Sequence, residues 1–394
     1  MDDFLFNKLT SDLHVLFIPA SYPTTYNSVR GIFFKDQAEA LANRGVKIGV
    51  LAIVHLAWEI FHQKRLDFGF RAFLENGVNV YRFQTPALPR NKLLYNDLKT
   101  IIGKYLFLKY IRKFGLPDII HVHTFLPGDL PLWIKERFGV PFVVTEHFSY
   151  FQDGTLRSWE DRMAKRLFRA SSGNFAVSQA TADVLQNRYD CRVKYLPNMV
   201  DTTFFTQNDH YDSENKRRLF VACGTLNHNK NHEMLIRAFK RTFAKDEFSL
   251  FQLNIIGEGP LRGHLNRFIE ENGLKHKIKL LGRLTREEVR QVFHKADFFV
   301  HSSHVETFGV SLIEAMSCGL PVLSTRCGGP ESIITDESLG LLCDINEVSF
   351  AEGLKKIISC KFDRDYIRHF IIKNFSKDVI VSKLFNEYRN SLGM

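Results

Sequence analysis

Two carboxylates, Glu306 and Glu314, stand in the run Ser303-His-Val-Glu306-Thr-Phe-Gly-Val-Ser-Leu-Ile-Glu314-Ala-Met-Ser-Cys-Gly-Leu-Pro-Val, with seven residues between them. The apolar run before them, Ala296-Asp-Phe-Phe-Val-His-Ser, reads as a buried strand, and the run after Phe308 as a helix closed by Gly319 and Pro321. Glu306 then lies in a strand-to-helix loop and Glu314 within the helix. Such a loop aims backbone N–H groups at an anion, because the first helical turn holds no internal partners for them. A carboxylate beside an anion site is electrostatically unfavourable, so it needs another purpose. Hydrogen bonding to sugar hydroxyls is one; a solvated helix start with acids favoured by the helix dipole is the other reading.

Further runs supply complementary groups. In Gly224-Thr225-Leu-Asn-His-Asn-Lys230 the lysine stands at the mouth of a strand–loop–helix, where it reaches a diphosphate as a point charge. Ile256-Gly257-Glu258-Gly259-Pro260 closes one apolar strand and opens a helix, and Leu281-Gly282-Arg283-Leu284 ends another strand; each alone is an ordinary tight turn. Phe308, Gly309 and Val310, at the helix start between the two acids, offer N–H donors to a phosphate and to sugar hydroxyls, with Gly309 permitting close approach. Arg326-Cys-Gly-Gly-Pro-Glu331 is either a plain turn with a capping acid or part of the same site. Nearer the start, Ser21 to Leu41 forms a loop and helix in which Gly31 lets the backbone approach a ligand, with Arg30 and Lys35 as weaker anion contacts. His121-Val-His123 and Thr145-Glu146-His147 are strand ends carrying histidines, each of which alone would read as a structural residue. Asp363-Arg-Asp365 has no apolar strand before it and reads as surface charge, and no His/Cys/Asp cluster has metal-ligand spacing.

Together these runs resemble the Glu-x7-Glu signature of retaining, nucleotide-sugar-dependent glycosyltransferases of family 4. The likeness spans about residue 13 to about residue 390. It implies that Glu306 contacts the donor sugar, Glu314 holds the ribose and Lys230 meets the diphosphate. It further implies that Gly257, Glu258 and Gly259 border the base, that Arg283 and Leu284 read the base edge, and that Gly31 approaches the donor phosphates. His147 would sit beside the reacting sugar, with His123 next to it on the acceptor side. Two departures stand out: Thr225 replaces the expected Arg, removing one charged diphosphate contact, and Met199 replaces Gly in the hinge run Pro197-Asn198-Met199-Val-Asp201. The expected reaction is front-face transfer, in which the leaving diphosphate takes the acceptor proton. The donor is a nucleotide-diphosphate sugar and the acceptor a saccharide or lipid-linked saccharide, with no metal or other cofactor. The alternative is a catalytically silent sugar-nucleotide sensor or scaffold.

The elements that must position these groups alternate. Strand-like runs at 14–19, 47–54, 118–123, 140–147, 173–178 and 193–196 are separated by helical spacing, and the pattern restarts at 219–223, 250–256, 278–281, 298–301 and 322–324. This predicts an α/β chain with two parallel-sheet domains, which the resemblance makes two facing Rossmann-like domains of the GT-B type with a cleft between them. The expected bounds are 1–200 for the acceptor domain, 201–375 for the donor domain and 376–394 for a last helix returning to the first domain.

The 394 residues carry a net charge of +10, and residues 1–197 hold 26 basic and 18 acidic groups. From Arg90 to Lys113 seven basic residues (Arg90, Lys92, Lys99, Lys104, Lys109, Arg112, Lys113) meet one acid, Asp97, with apolar residues interleaved. This segment is either an amphipathic surface for an anionic membrane or a core helix with a solvated basic face. It lacks a nucleic-acid-binding motif. No run of 18 apolar residues appears. The six cysteines form no C-x-x-C pair and read as reduced residues of a cytoplasmic protein, peripheral at the inner membrane face if the amphipathic reading holds.

Overall fold

The computed structural model describes residues 13–26, 30–56, 67–86, 92–208, 218–243 and 250–394. Arg90, the side chain of Lys92 and most of the polar stretch 207–218 lie outside the described residues. The chain forms two compact units: residues 1–177, 181–197 and 380–394 make the first, residues 178–180 and 198–379 the second.

The first unit is built on β1 (His14–Pro19), α1 (Ile32–Ala42), β2 (Lys47–Leu56), β3 (Gly69–Glu75), β4 (Val78–Pro86), α2 (Leu98–Phe114), β5 (Ile119–His123), α3 (Leu130–Phe138), β6 (Phe142–Glu146), α4 (Ser158–Ala170), β7 (Gly173–Ala176), α5 (Gln179–Tyr189) and β8 (Lys194–Tyr195). The strands are ordered β3-β4-β2-β1-β5-β6-β7-β8. All neighbours are parallel except β3 and β4. β1 and β5 are buried along their whole length, as central strands covered on both faces must be. The β3–β4 hairpin was not expected, because β3 (Gly-Phe-Arg-Ala-Phe-Leu-Glu) is a half-exposed edge without a clean apolar period. Its signal is the turn: Asn76 and Gly77 both have positive φ (47° and 81°), the two-residue connection that suits a twisted hairpin.

The second unit comprises β9 (Arg218–Cys223), α6 (His232–Thr242), β10 (Phe251–Ile256), α7 (Arg262–Glu271), β11 (Ile278–Gly282), α8 (Arg286–Lys295), β12 (Phe298–His301), α9 (Val310–Ser317), β13 (Val322–Thr325), β14 (Gly340–Cys343), α10 (Glu347–Ser359) and α11 (Arg364–Phe375). Its sheet is parallel throughout, in the order β11-β10-β9-β12-β13-β14. Phe220, Phe239, Phe243, Phe251 and Phe298 meet in one aromatic cluster under it. The short strand β14 was not expected either; its four residues are too few to show a period. Asp363 caps α11, its carboxylate accepting from Tyr366 N at 2.9 Å.

The final helix, α12 (Lys377–Leu392), gives residues 380–394 to the first unit. There Tyr388 is fully buried with its hydroxyl 2.7 Å from Nδ1 of His121, and Glu387 pairs with Lys194 at 2.6 Å. In both sheets the order runs outward in two directions from a central pair, β1/β5 in the first and β9/β12 in the second. Such a switch point leaves a crevice at the carboxyl ends of the strands, where ligands of open parallel sheets bind.

Candidate functional site

In the second unit the loops leaving β9 and β12 are clamped together at the switch point. The turn His228–Lys230 is capped by Asn227, whose side chain accepts from Lys230 N at 3.0 Å. Asn229 bridges to the other loop: its carbonyl accepts from His304 N at 2.8 Å, while its side chain accepts from Val305 N at 3.1 Å and donates to Val305 O at 2.9 Å. Ser302 Oγ donates to Lys230 O at 2.8 Å. This framework sets Lys230 Nζ directly on the carboxylate of Glu306. The backbone of Glu306 is fixed as well, its N–H donating to Cys327 O at 2.9 Å and its carbonyl accepting from Gly329 N at 2.7 Å. The Arg326–Glu331 run is therefore the wall behind Glu306, and Glu331 ties it by accepting from Gly328 N at 2.9 Å.

A third group, which the sequence reading missed, completes the arrangement. Buried His301 places Nε2 3.3 Å from the Glu306 carboxylate and 3.0 Å from Ser303 Oγ, with Nδ1 3.1 Å from Ser324 Oγ. The available signal was its place as the last residue of the strand before the loop. Burial pushes the Glu306 carboxyl up, but the Lys230 charge and the hydrogen bond from His301 outweigh it and hold the group well below the usual carboxylate range. Burial likewise pulls Lys230 down, and Glu306 more than compensates, holding the ammonium above its ordinary value. For His301 burial prevails and lowers the imidazole. Lys230 and Glu306 are thus a charged pair at neutral pH, beside a neutral histidine.

The neighbouring loops pack backbone against backbone. Gly257, at φ 144°, approaches Gly224 so closely that a Cβ would meet its carbonyl oxygen at 1.9 Å, and a Cβ on Gly259 would meet Leu226 O at 2.4 Å. Leu226 N donates to Glu258 O at 3.0 Å, and Gly257 N to Gly282 O at 2.9 Å. The Gly257–Gly259 turn and the start of the Arg283–Leu284 run are therefore adjacent to the Lys230 loop. Arg283 is exposed and Leu284 half-buried; Glu258 is ion-paired with Arg262, and Thr225 is exposed at the loop tip. Gly309 opens α9 at φ 99°, and buried Phe308 lies against Gly329, where a Cβ would meet Phe308 N at 2.5 Å. Val310 is the first residue of the helix, so its N–H belongs to the turn without intrahelical partners. Glu314 lies one turn further on, with Arg286 Nη2 at 3.9 Å. Burial, with Glu314 beside it, pushes the thiol of Cys223 at the end of β9 up to about 12. Glu314 therefore faces the same strand end as Lys230 but engages a different cation from Glu306.

The first unit brings together a separate group at its own switch point. Gly31 caps α1 at φ 81°, where a Cβ would meet Ser21 O at 2.7 Å. At the end of β5, His123 Nδ1 lies 3.2 Å from His147 Nε2, and the Phe34 ring packs 4.8 Å from His123 and 5.0 Å from His147. Thr124, β-branched, is held at φ 73°, local strain beside these histidines. Burial lowers all three imidazoles, His147 to about 3 and His121 and His123 well below the ordinary value. Glu146, which the sequence reading passed over for its neighbour, fixes the strand end: its carboxylate accepts from Phe125 N at 3.1 Å and from His147 N and Phe148 N at 2.9 Å each. Burial raises it to about 7 against those three donors. Lys35, expected as a weaker anion contact, is engaged by Glu75 at 2.5 Å. Among the described residues, no group of three or more His, Cys, Asp or Glu is arranged to hold a metal ion.

Comparison with known proteins agrees with this geometry. Residues 31–204 match the model described as Glycosyltransferase Family 4, and residues 204–374 match Glycosyl transferases group 1. The phosphatidylinositol N-acetylglucosaminyltransferase of Homo sapiens is 35% identical over 297 residues, covering 73% of this chain and 58% of the human protein. Among solved structures, sucrose-phosphate synthase from Thermosynechococcus elongatus superposes with a TM-score of 0.77 at 17% identity, covering 96% of this chain and 99% of that one. HepE of Anabaena, in complex with UDP and glucose, gives 0.70 at 16% identity over 95% and 98%. With both halves matched and the fold shared, the chain belongs to family 4 of the glycosyltransferases, on the GT-B scaffold.

Proposed function

We propose that the protein is a retaining glycosyltransferase that moves a sugar from a nucleotide-diphosphate sugar to a saccharide or lipid-linked saccharide, without a metal ion, as a peripheral enzyme of surface polysaccharide or glycolipid synthesis. The observation that carries the reading is the Lys230–Glu306 pair at the switch point of the second sheet, beside the N-terminus of α9. A diphosphate entering there draws Lys230 as a point charge and meets the N–H groups at Gly309 and Val310. The released Glu306 carboxylate, kept ionised, then accepts hydrogen bonds from sugar hydroxyls. Glu314 takes the ribose hydroxyls. These groups stabilise charge as it develops on the leaving diphosphate, which takes the acceptor proton on the same face. His147 and His123, neutral and buried, line the acceptor side. The UDP and glucose held by HepE support a nucleotide-sugar donor. The test is a thermal-shift panel of nucleotide sugars with the purified protein, followed by transfer assays. One donor should raise the melting temperature and be consumed with retention of configuration. No shift with any nucleotide sugar, or inversion in the product, would overturn the reading.

A further inference from the structure

Helix α2 has two apolar faces. Leu106, Phe107 and Tyr110 are fully buried in the core of the first unit, so the interleaved apolar residues of the basic run mostly serve packing. A second row, Leu98, Ile101, Tyr105 and Leu108, recurs at steps of three, four and three residues, which places it on one side of the helix. That side faces out: Ile101 is 64% exposed and Tyr105 44%. Water-facing helix positions ordinarily carry polar residues, and a contiguous apolar row of this kind marks an interaction surface.

The cations identify the partner. Lys104 borders the row on one side and Lys109 and Lys113 on the other, with Arg112 at its end. Among the described residues none of these four has an acidic partner; the lysines lie over rings instead, Lys104 over Trp133 at 4.9 Å, Lys109 over Phe70 at 4.9 Å and Lys113 over Phe114 at 5.2 Å. An apolar row flanked by unneutralised cations and bordered by Trp and Tyr is the pattern of a helix lying in a lipid interface, where side chains enter the acyl boundary and ammonium groups meet phosphates. No helix among the described residues is long and apolar enough to cross a membrane.

We infer that the outer face of α2 docks the protein on an anionic phospholipid surface, Ile101, Tyr105 and Leu108 entering it and Lys104, Lys109, Arg112 and Lys113 holding its phosphates. This extends the lipid-linked acceptor of the proposed function, yet needs no donor and no turnover. Co-sedimentation of the full chain is measured with vesicles of phosphatidylcholine alone and with phosphatidylglycerol added, at rising salt. Binding should require phosphatidylglycerol and weaken as salt screens it. Lys104→Glu, Lys109→Glu and Lys113→Glu together should weaken it roughly ten- to hundred-fold, at about 1 kcal/mol per cation near the surface. Ile101→Ser, Tyr105→Ser and Leu108→Ser together should abolish tight binding while leaving the melting temperature and the nucleotide-sugar thermal shift unchanged. Absence of binding, or binding indifferent to lipid charge or to either triple variant, overturns the inference. So does a concentration-dependent dimer that the serine variant dissociates, which would assign the face to a second copy of the chain. Because the nucleotide-sugar shift is read separately, failure here leaves the transferase reading standing.

Discussion

Glu306 and Glu314 share a spacing but hold different cations, and their substitution should separate. Glu314→Ala should weaken both free nucleotide and nucleotide sugar by about ten- to hundred-fold, since hydrogen bonds to a charged group are worth about 1.5–3 kcal/mol. Glu306→Ala should leave free nucleotide nearly unaffected and lower kcat, because its partner is the sugar; titration calorimetry against single-turnover rates distinguishes the two. Lys99 offers a stability test. Among the described residues its buried Nζ has no hydrogen-bond partner; it lies 5.1 Å from the Tyr95 ring, and burial, with Arg30 nearby, lowers it to about 8. Its folded value lies below the unfolded value of about 10.4. It therefore reduces stability below about pH 8, and stability returns as pH rises toward 10. Lys99→Met should raise the melting temperature at pH 7, by about 1–3 kcal/mol, and flatten that alkaline rise.

At the level of elements, the parallel strands and the loops at their carboxyl ends were legible because apolar runs bounded by glycine and polar residues are local signals. Lys230, Glu306, His123 and His147 were legible for the same reason, each standing just past such a run. What escaped depends on pairing across distance. The Asn229 clamp joins residues far apart in the chain, Arg286 reaches Glu314 from the preceding helix, and Glu146 takes its donors from two loops. The edge strand β3 was hidden by its exposed face. Glycines test how tightly the donor loops are built. Gly257→Ala combines a left-handed φ with a backbone collision, and should destabilise the second unit by about 2–4 kcal/mol and abolish the nucleotide shift. Gly263→Ala, in α7 with open space around it, should instead stabilise by about 0.5–1 kcal/mol. Denaturant titration with a nucleotide-binding readout checks both.

For the whole molecule, buried histidines set the acid response. His14 is lowered to about 4, His55, His147 and His232 to about 3, and His121 and His123 well below their ordinary value, all chiefly by burial. The unfolded chain binds more protons than the folded one between those values and about 6.5, so stability is full above about pH 6.5 and falls as pH drops toward 3. Glu146 has the opposite sign: raised to about 7, it favours the folded state at low pH and loses that contribution as pH rises from about 4.5 to 7. Glu146→Gln should therefore steepen the rise of stability with pH between about 4.5 and 6.5, as read from melting temperatures across that range. Transfer should also persist in excess EDTA; loss of turnover restored by added magnesium or manganese would refute metal independence.

The return of α12 to the first unit has a consequence for how the protein is made. Ile380, Val381, Leu384, Phe385 and Tyr388 are buried, and Tyr388 supplies the partner of His121, a residue in the middle of the first sheet. On a translating ribosome the strands of the first unit emerge early, but residues 198–379 must be synthesised before that helix exists. At about 5–20 residues per second this takes roughly 10–40 s, far longer than a small domain needs to collapse. Throughout that interval the nascent first unit exposes an apolar groove and an unsatisfied histidine, which makes it a client for chaperones. A fragment of residues 1–197 should bind a hydrophobic dye and precipitate on release, and a peptide of residues 377–394 added during synthesis should rescue it.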